Sequence, residues 1–156
     1  MRTRLFLISA VIFALDTFTK WLVNVKIPLY GEIDIIPGLF RLTHLENTGA
    51  AFSIFADSPG PWAGRILILF SVIALLVISV LLWRNGSAVN VTTVSLALFL
   101  GGTLGNLSDR LARGRVTDFL DFYVGSHHWP PFNVADSAIV VGALLLAGNV
   151  FFGSRK

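Results

Sequence analysis

Four apolar runs constrain this chain more than any other feature of it. They cover residues 5 to about 25, about 62–83, about 91–111 and about 134–152. Each is close to the roughly 20 helical residues that cross a bilayer. A segment in lipid must satisfy its own backbone hydrogen bonds, so each run is expected to be a helix. Composition points the same way. Hydrophobic residues make up 54% of the chain and charged ones 13%, and the mean hydropathy is +0.75. A soluble domain carries about twice that charged fraction. The chain therefore reads as one integral membrane domain, residues 1–156, with long connections at about 26–61 and about 112–133.

Several other readings fall away. No cysteine is present, so disulfide and thiolate chemistry are excluded. The formal charge of +3 is not a nucleic-acid signal, because the basic residues form no continuous stripe. The first run follows Met-Arg-Thr-Arg, as a signal peptide does. No small-residue cleavage site comes after it, and Asp16 and Lys20 interrupt its core, so it reads as a retained span.

Charge also bears on orientation. Arg2, Arg4, Arg84, Arg155 and Lys156 share one side with no acidic residue among them. Lys26, Arg41, Arg65, Arg113 and Arg115 share the other with nearly all the acids. A bare count of Lys and Arg hardly separates the two. The short basic N-terminus, the tight Arg84-Asn85-Gly86 turn and the basic C-terminus favour both termini in the cytoplasm. Both long connections then lie on the extracytoplasmic side.

Those connections carry structure of their own. Residues 39–45 partly alternate apolar and polar, and residues 27–36 are strand-like between Pro28, Gly31, Pro37 and Gly38. Residues 49–55 read as a short interfacial helix that ends at residues 57–61. Trp62, Trp83 and Trp129 are expected at headgroup level. The expected fold class is an all-α membrane protein with four transmembrane helices, a small extracytoplasmic β-sheet and a short interfacial helix.

The polar residues are few and grouped. Residues 105–137 hold four of the nine acidic residues: Asp109, Asp118, Asp121 and Asp136. A charge beside lipid costs at least a few kcal/mol unless paired or hydrated. Asp118 and Asp136 are therefore expected to meet at the membrane surface and share one catalytic task. Asp16 and Lys20 are four apart, acid first, which favours an ion pair; facing the bundle, it would brace the outer loops. Gly101 and Gly105 form a small-xxx-small pattern, widened by Gly102 and Thr103. Ala138 with Gly142, and Ala143 with Ala147, offer complementary faces. Asn106, Asp109 and Arg110 share one helix face, and Asn133 and Asp136 project together where the fourth run begins. Asn133 alone reads as an N-cap. A second amide, a guanidinium and two carboxylates at one depth read as a site. Arg110 can snorkel to the headgroups. The sharper expectation is a planar fork on a carboxylate or loop carbonyl, fixing the loop that carries Asp118. Asp121 follows the strand-like Asp118-Phe119-Leu120 and is expected to turn to solvent, Arg113 or Arg115.

These residues fall into motifs: Asp16-x-x-x-Lys20, Glu46-Asn47-Thr48-Gly49-Ala50-Ala51-Phe52, Gly105-Asn106-Leu107-Ser108-Asp109-Arg110, Val116-Thr117-Asp118-Phe119 and Phe132-Asn133-Val134-Ala135-Asp136-Ser137. In this order on four spans, the set resembles the bacterial lipoprotein signal peptidases, the signal peptidase II family. The resemblance implies an aspartic endopeptidase of the inner membrane that cuts a prolipoprotein before its lipid-modified cysteine. It carries the catalytic pair onto Asp118 and Asp136. It carries the residues lining the site onto Asp16, Lys20, Asn47, Gly49, Asn106, Arg110 and Asn133. It also implies a four-helix bundle with an outer sheet and a surface helix. The expected partners are a diacylglyceryl-modified prolipoprotein and membrane lipid, with no nucleic acid, and the chain acting as a monomer. No cofactor and no metal are called for.

Rival chemistries have weaker support. His127 and His128 are adjacent, so their side chains do not converge on one metal. Ser108 and Ser137 lack a suitably spaced base. Asp16, Lys20, Asp109 and Arg110 suggest the ion relay of a small transporter or channel. The charges cluster toward one side, however, and residues 66–80 are apolar except for Ser71 and Ser79. A non-enzymatic lipid–protein binder using the same groove remains open, and Asp118→Asn separates it from an enzyme.

Overall fold

The computed structural model describes residues 1–49 and 62–153. The elements run in order α1 (Arg2–Lys26), β1 (Glu32–Ile36), β2 (Phe40–Asn47), α2 (Trp62–Asn85), α3 (Val91–Arg113), β3 (Val116–Val124), β4 (His127–His128) and α4 (Val134–Phe152). All four apolar runs are helices long and apolar enough to cross a membrane. The interfacial helix expected over 49–55, its ending at 57–61, and Arg155 and Lys156 lie outside the described residues, except for Gly49.

α3 is the central helix. Along its most apolar stretch 56% of residues are buried, against 6% for α2, which is exposed on the outside of the bundle. Glycines let the neighbours close on α3. A Cβ at Gly101 would strike Ser9 O and Ile12 of α1. One at Gly105 would strike the Asp16 carboxylate and come within 3.2 Å of the Ala135 Cβ of α4. Close backbone approach of this kind drives helix association where lipid supplies no hydrophobic force. Between α1 and α3, Ser9 Oγ donates to Ala97 O at 2.8 Å. Leu5, Leu82, Leu96, Ala97 and Leu100 form the core toward the end of the bundle where the chain starts. On α4, Ala138 and Gly142 are buried, with Gly142 against Ser95 and Phe99. Ala143 and Ala147 are exposed, contrary to the expected second face: only the stripe through 138 and 142 turns toward α3.

At the opposite end of the bundle, the strands form one antiparallel sheet of order β1-β2-β3-β4. The sequence placed the sheet in the first connection and marked only residues 118–120 of the second as strand-like. β3, from the second connection, is instead an inner strand and its longest. Val23 and Ile27 at the end of α1 pack against Phe119, with Leu42, Leu120 and Val134 around them, which seats the sheet on the helices. His44 adds a buried contact, its Nδ1 lying 2.8 Å from Ile27 O. α3 ends at Gly114, whose left-handed φ of 70° turns the chain into β3.

A β-bulge sets the register beside the site. β2 and β3 pair as Leu42↔Leu120, then as Leu45↔Asp118 and Asn47↔Val116. Without the extra residue, Glu46 would oppose Val116. The bulge therefore puts an amide, not a carboxylate, diagonally beside Asp118 on the same face.

Candidate active site

Asp118 comes from β3 and Asp136 from the first turn of α4. Both line one groove of about 360 Å³ that opens along α4. Asp118 is 5% exposed, and each of its oxygens accepts an amide N–H. Asn133 Nδ2 lies 2.8 Å from Oδ1 and Asn47 Nδ2 lies 2.9 Å from Oδ2. Asp136 Oδ1 accepts from Asn106 Nδ2 at 2.7 Å.

The orientations of these amides are fixed by their other contacts. Asn133 Oδ1 caps the Asp136 N–H at 2.9 Å, so its NH₂ must face Asp118. Asn133 is thus both the expected N-cap and a contact of Asp118. Asn47 Oδ1 accepts the Gly49 N–H at 2.8 Å, which turns its NH₂ to Asp118. Asn106 Oδ1 faces the Lys20 ammonium at 2.9 Å, which leaves its NH₂ for Asp136.

Lys20 is 2% exposed, lying 2.7 Å from Asp16 Oδ2 and 2.9 Å from Asp109 Oδ2. The expected intrahelical pair is present and faces the bundle. Asp16 Oδ1 also accepts the Ala135 N–H at 2.8 Å, so α1 caps the start of α4 from the side. Arg110 bridges Gly49 O at 2.9 Å and Asn106 O at 3.3 Å. The fork on a loop carbonyl is found, but the loop it holds is that of Gly49, not that of Asp118.

Asp16, Lys20, Asn47, Gly49, Asn106, Arg110, Asp118, Asn133 and Asp136 are thus joined in one unbroken hydrogen-bonded network. Sequence reasoning left Asp109 out of this set. It is the second carboxylate on Lys20 and passes the chain of charge on to Arg113 at 2.6 Å. Its spacing of three from Asn106 was the available signal. Ala135 acts through its backbone, and no side-chain pattern marks it. Asp121 behaves differently from expectation. It is buried and pairs with Arg41 at 2.7 Å and His128 at 3.0 Å, because the β2–β3 register sets Arg41 directly opposite. Arg113 and Arg115 bind Asp109 and Glu46 instead.

Burial pushes the Asp118 carboxyl up to about 6, and the nearby Asp136 carboxylate pushes the same way. The Asn47 and Asn133 amides and the Lys20 charge oppose the rise. A group with that affinity can exchange a proton near neutral pH. Two carboxylates on one groove, each held by a fixed amide, form a site suited to acid–base chemistry.

These features define a polytopic membrane protein with paired carboxylates where its helices meet a small sheet. The family described as signal peptidase (SPase) II matches residues 8–152, and the chain belongs to that family. It is 44% identical over 156 residues to the lipoprotein signal peptidase of Solibacter usitatus, covering 100% of this chain and 95% of that one. It is 46% identical over 142 residues to the lipoprotein signal peptidase of Geobacter sulfurreducens, covering 91% and 88%. Two solved structures, both described as a bacterial membrane enzyme, share the fold at a TM-score of 0.84 and 24% identity. They cover 99% and 97% of this chain, and 93% and 95% of their own.

Proposed function

We propose that this chain is an aspartic endopeptidase of the bacterial inner membrane. It removes the signal peptide from diacylglyceryl-modified prolipoproteins, cutting before the lipid-modified cysteine, with Asp118 and Asp136 as the catalytic pair. The observation that carries this reading is the two carboxylates, Asp118 buried and Asp136 half-buried, that line one largely apolar groove. Peptide hydrolysis needs an activated water and a proton donor for the leaving amine. Two nearby carboxylates supply both by sharing one proton, because like charges do not both ionise easily. The unprotonated carboxylate takes a proton from water as the oxygen attacks the scissile carbonyl, and the protonated one gives its proton to that carbonyl oxygen. The C–N bond then breaks as the proton from water passes to the nitrogen, while the collapsing gem-diol returns a hydroxyl proton to the carboxylate that had protonated it, and the pair regains its starting state. The pair titrates as a unit.

Asn106 and Asn133 orient the pair. Asn47 and Gly49 hold the substrate backbone from the sheet side. Asp16, Lys20 and Arg110 hold these groups in place. The chain works as a single membrane domain and as a monomer, surrounded by membrane lipid. Both termini are cytoplasmic, and the sheet and site are on the extracytoplasmic side. The basic Arg2, Arg4 and Arg84 at the opposite end of the bundle support this orientation.

Two experiments test the reading. Purified protein incubated with a lipidated precursor peptide should release, by mass spectrometry, a signal peptide and a product starting at the lipidated cysteine. Cleavage elsewhere, or none, would refute it. A cysteine at Gly125 should react with an impermeant thiol reagent outside intact cells while one at Gly86 does not. The reverse pattern would invert the orientation.

A further inference from the structure

Asp121 is a buried carboxylate that the proposed chemistry does not use. It lies three residues beyond Asp118 on β3, so its side chain leaves the opposite face of the strand, about 10 Å further along. Arg41 Nε of β2 donates to its Oδ2 at 2.7 Å, and His128 Nδ1 of β4 lies 3.0 Å from both its oxygens. One carboxylate, 2% exposed, thus joins three strands. The guanidinium is itself held: it pairs with Glu32 and lies 5.1 Å over the Tyr123 ring, whose hydroxyl donates to Asp34 at 2.9 Å. The His128 ring stacks on the same Tyr123, with 5.1 Å between centroids.

What this cluster holds is the return segment from His128 to Asn133. β4 is only two residues long, and Pro130 and Pro131 have no N–H to give to β3. Trp129 N–H reaches Phe122 O at 2.8 Å, and Phe132 exchanges bonds with Leu120 at 2.8 and 3.1 Å. The segment ends at Asn133, which is fully buried, donates to Asp118 Oδ1 at 2.8 Å and caps the Asp136 N–H at 2.9 Å. A closed ring results: Asp121 to His128, along the chain to Asn133, across to Asp118, and back along β3 to Asp121. A segment released at His128 can swing, and a hydrogen bond weakens steeply as its geometry is lost.

We infer that Asp121 and His128 are positioning residues for Asp118: their contact anchors the segment that keeps the Asn133 amide on its carboxylate. This rests on the aspartic peptidase reading above. The anchor does not need a charged histidine. Facing a carboxylate, Nδ1 donates in the imidazolium and in one neutral tautomer alike. The groups that face His128 are Asp121 and Tyr123, with Arg41 and Glu32 behind the carboxylate. Those that face Asp118 are Asn47, Asn133 and Asp136, with the Lys20 charge beyond. Asn133 favours the ionised carboxylate and opposes the rise that burial causes. Weakening its bond therefore makes Asp118 hold its proton more tightly.

The test uses the full chain in detergent and the lipidated precursor peptide. His128→Phe keeps a ring on Tyr123 and removes the donor, at an exposed position. Glu32→Gln, which alters the charge of the same cluster without touching the segment, is the control. His128→Phe should lower kcat roughly threefold or more, with KM within about twofold of the parent. The pH at which its activity declines should move upward by about half a unit or more. Glu32→Gln should change neither. An unmoved alkaline limb in His128→Phe, whatever its kcat, overturns the inference, because a merely less stable protein would behave that way. So does an equal shift in Glu32→Gln. Without substrate, amide hydrogen exchange at residues 129–133 should quicken in His128→Phe. Unchanged exchange there overturns the anchor and leaves the peptidase reading intact. Failure of the aspartic reading shows separately, as normal cleavage by Asp118→Asn.

Discussion

Replacing Lys20 with methionine removes a charge while keeping most of the side-chain length. Lys20 is buried 2.7 Å from Asp16, 2.9 Å from Asp109 and 2.9 Å from Asn106 Oδ1. Breaking a buried pair from one side costs about 3–5 kcal/mol, because the remaining charge is left uncompensated. Two features place this case near the lower figure. Asp109 keeps Arg113 at 2.6 Å, and Asp16 keeps the Ala135 N–H at 2.8 Å. In a domain of this size about 1 kcal/mol moves Tm by roughly 2–4 °C, so a loss of about 3 kcal/mol lowers Tm by roughly 6–12 °C. The double variant Asp16→Asn, Lys20→Met should recover part of that loss, since a buried pair replaced by neutral groups is close to neutral in stability. Thermal unfolding in detergent, followed by tryptophan fluorescence, reads both effects. A Lys20→Met protein that melts within about 2 °C of the parent would refute the reasoning. So would a double variant no more stable than Lys20→Met.

Two further outcomes follow from the same network. Arg110→Lys keeps the charge and loses the planar reach to both Gly49 O and Asn106 O, so turnover should fall at least roughly tenfold, about 1.4 kcal/mol, with expression unchanged. A fully active Arg110→Lys enzyme would leave the bridge without a role. The raised affinity of Asp118 fixes two signs of pH dependence. Cleavage should decline as pH rises through about 6, where the pair gives up the one proton it shares. Stability should move the same way. Folding raises this carboxyl's proton affinity, so its contribution is present below about pH 4 and is lost as pH rises to about 6. Asp118→Asn should flatten that part of the stability profile, and a profile unchanged by the substitution would contradict the assignment.

How much of this was legible in the sequence differs by element. The four helices were, because apolar length alone decides a span. The contacts within one helix were also legible: Asp16 with Lys20 follows from a spacing of four, and the N-cap at Asn133 from its place before an apolar run. What escaped depends on partners distant in the chain. Asp121 and Arg41 are 80 residues apart and meet only through the β2–β3 register. The bulge that trades Glu46 for Asn47 beside Asp118 has no local sequence mark. β3, VTDFLDFYV, was legible only as the strand-like residues 118–120; it is buried on both faces over its first four residues, so it lacks the alternation that would have given its full length. Ala143 and Ala147 have the same four-residue spacing as Ala138 and Gly142, and spacing cannot tell which stripe meets a neighbour. The nine residues of the site were singled out by motif, yet the contacts that orient each amide required the fold.

The central claim is that Asp118 and Asp136 act together on a peptide bond. The most direct test measures cleavage of a lipidated precursor peptide by Asp118→Asn, by Asp136→Asn and by the double variant, with mass spectrometry of the products and a binding measurement on the same peptide. The account predicts that each single variant falls to near background while still folding and binding the peptide, and that the double variant loses little more, since groups that act as a unit are not additive. Normal cleavage by either single variant would contradict it.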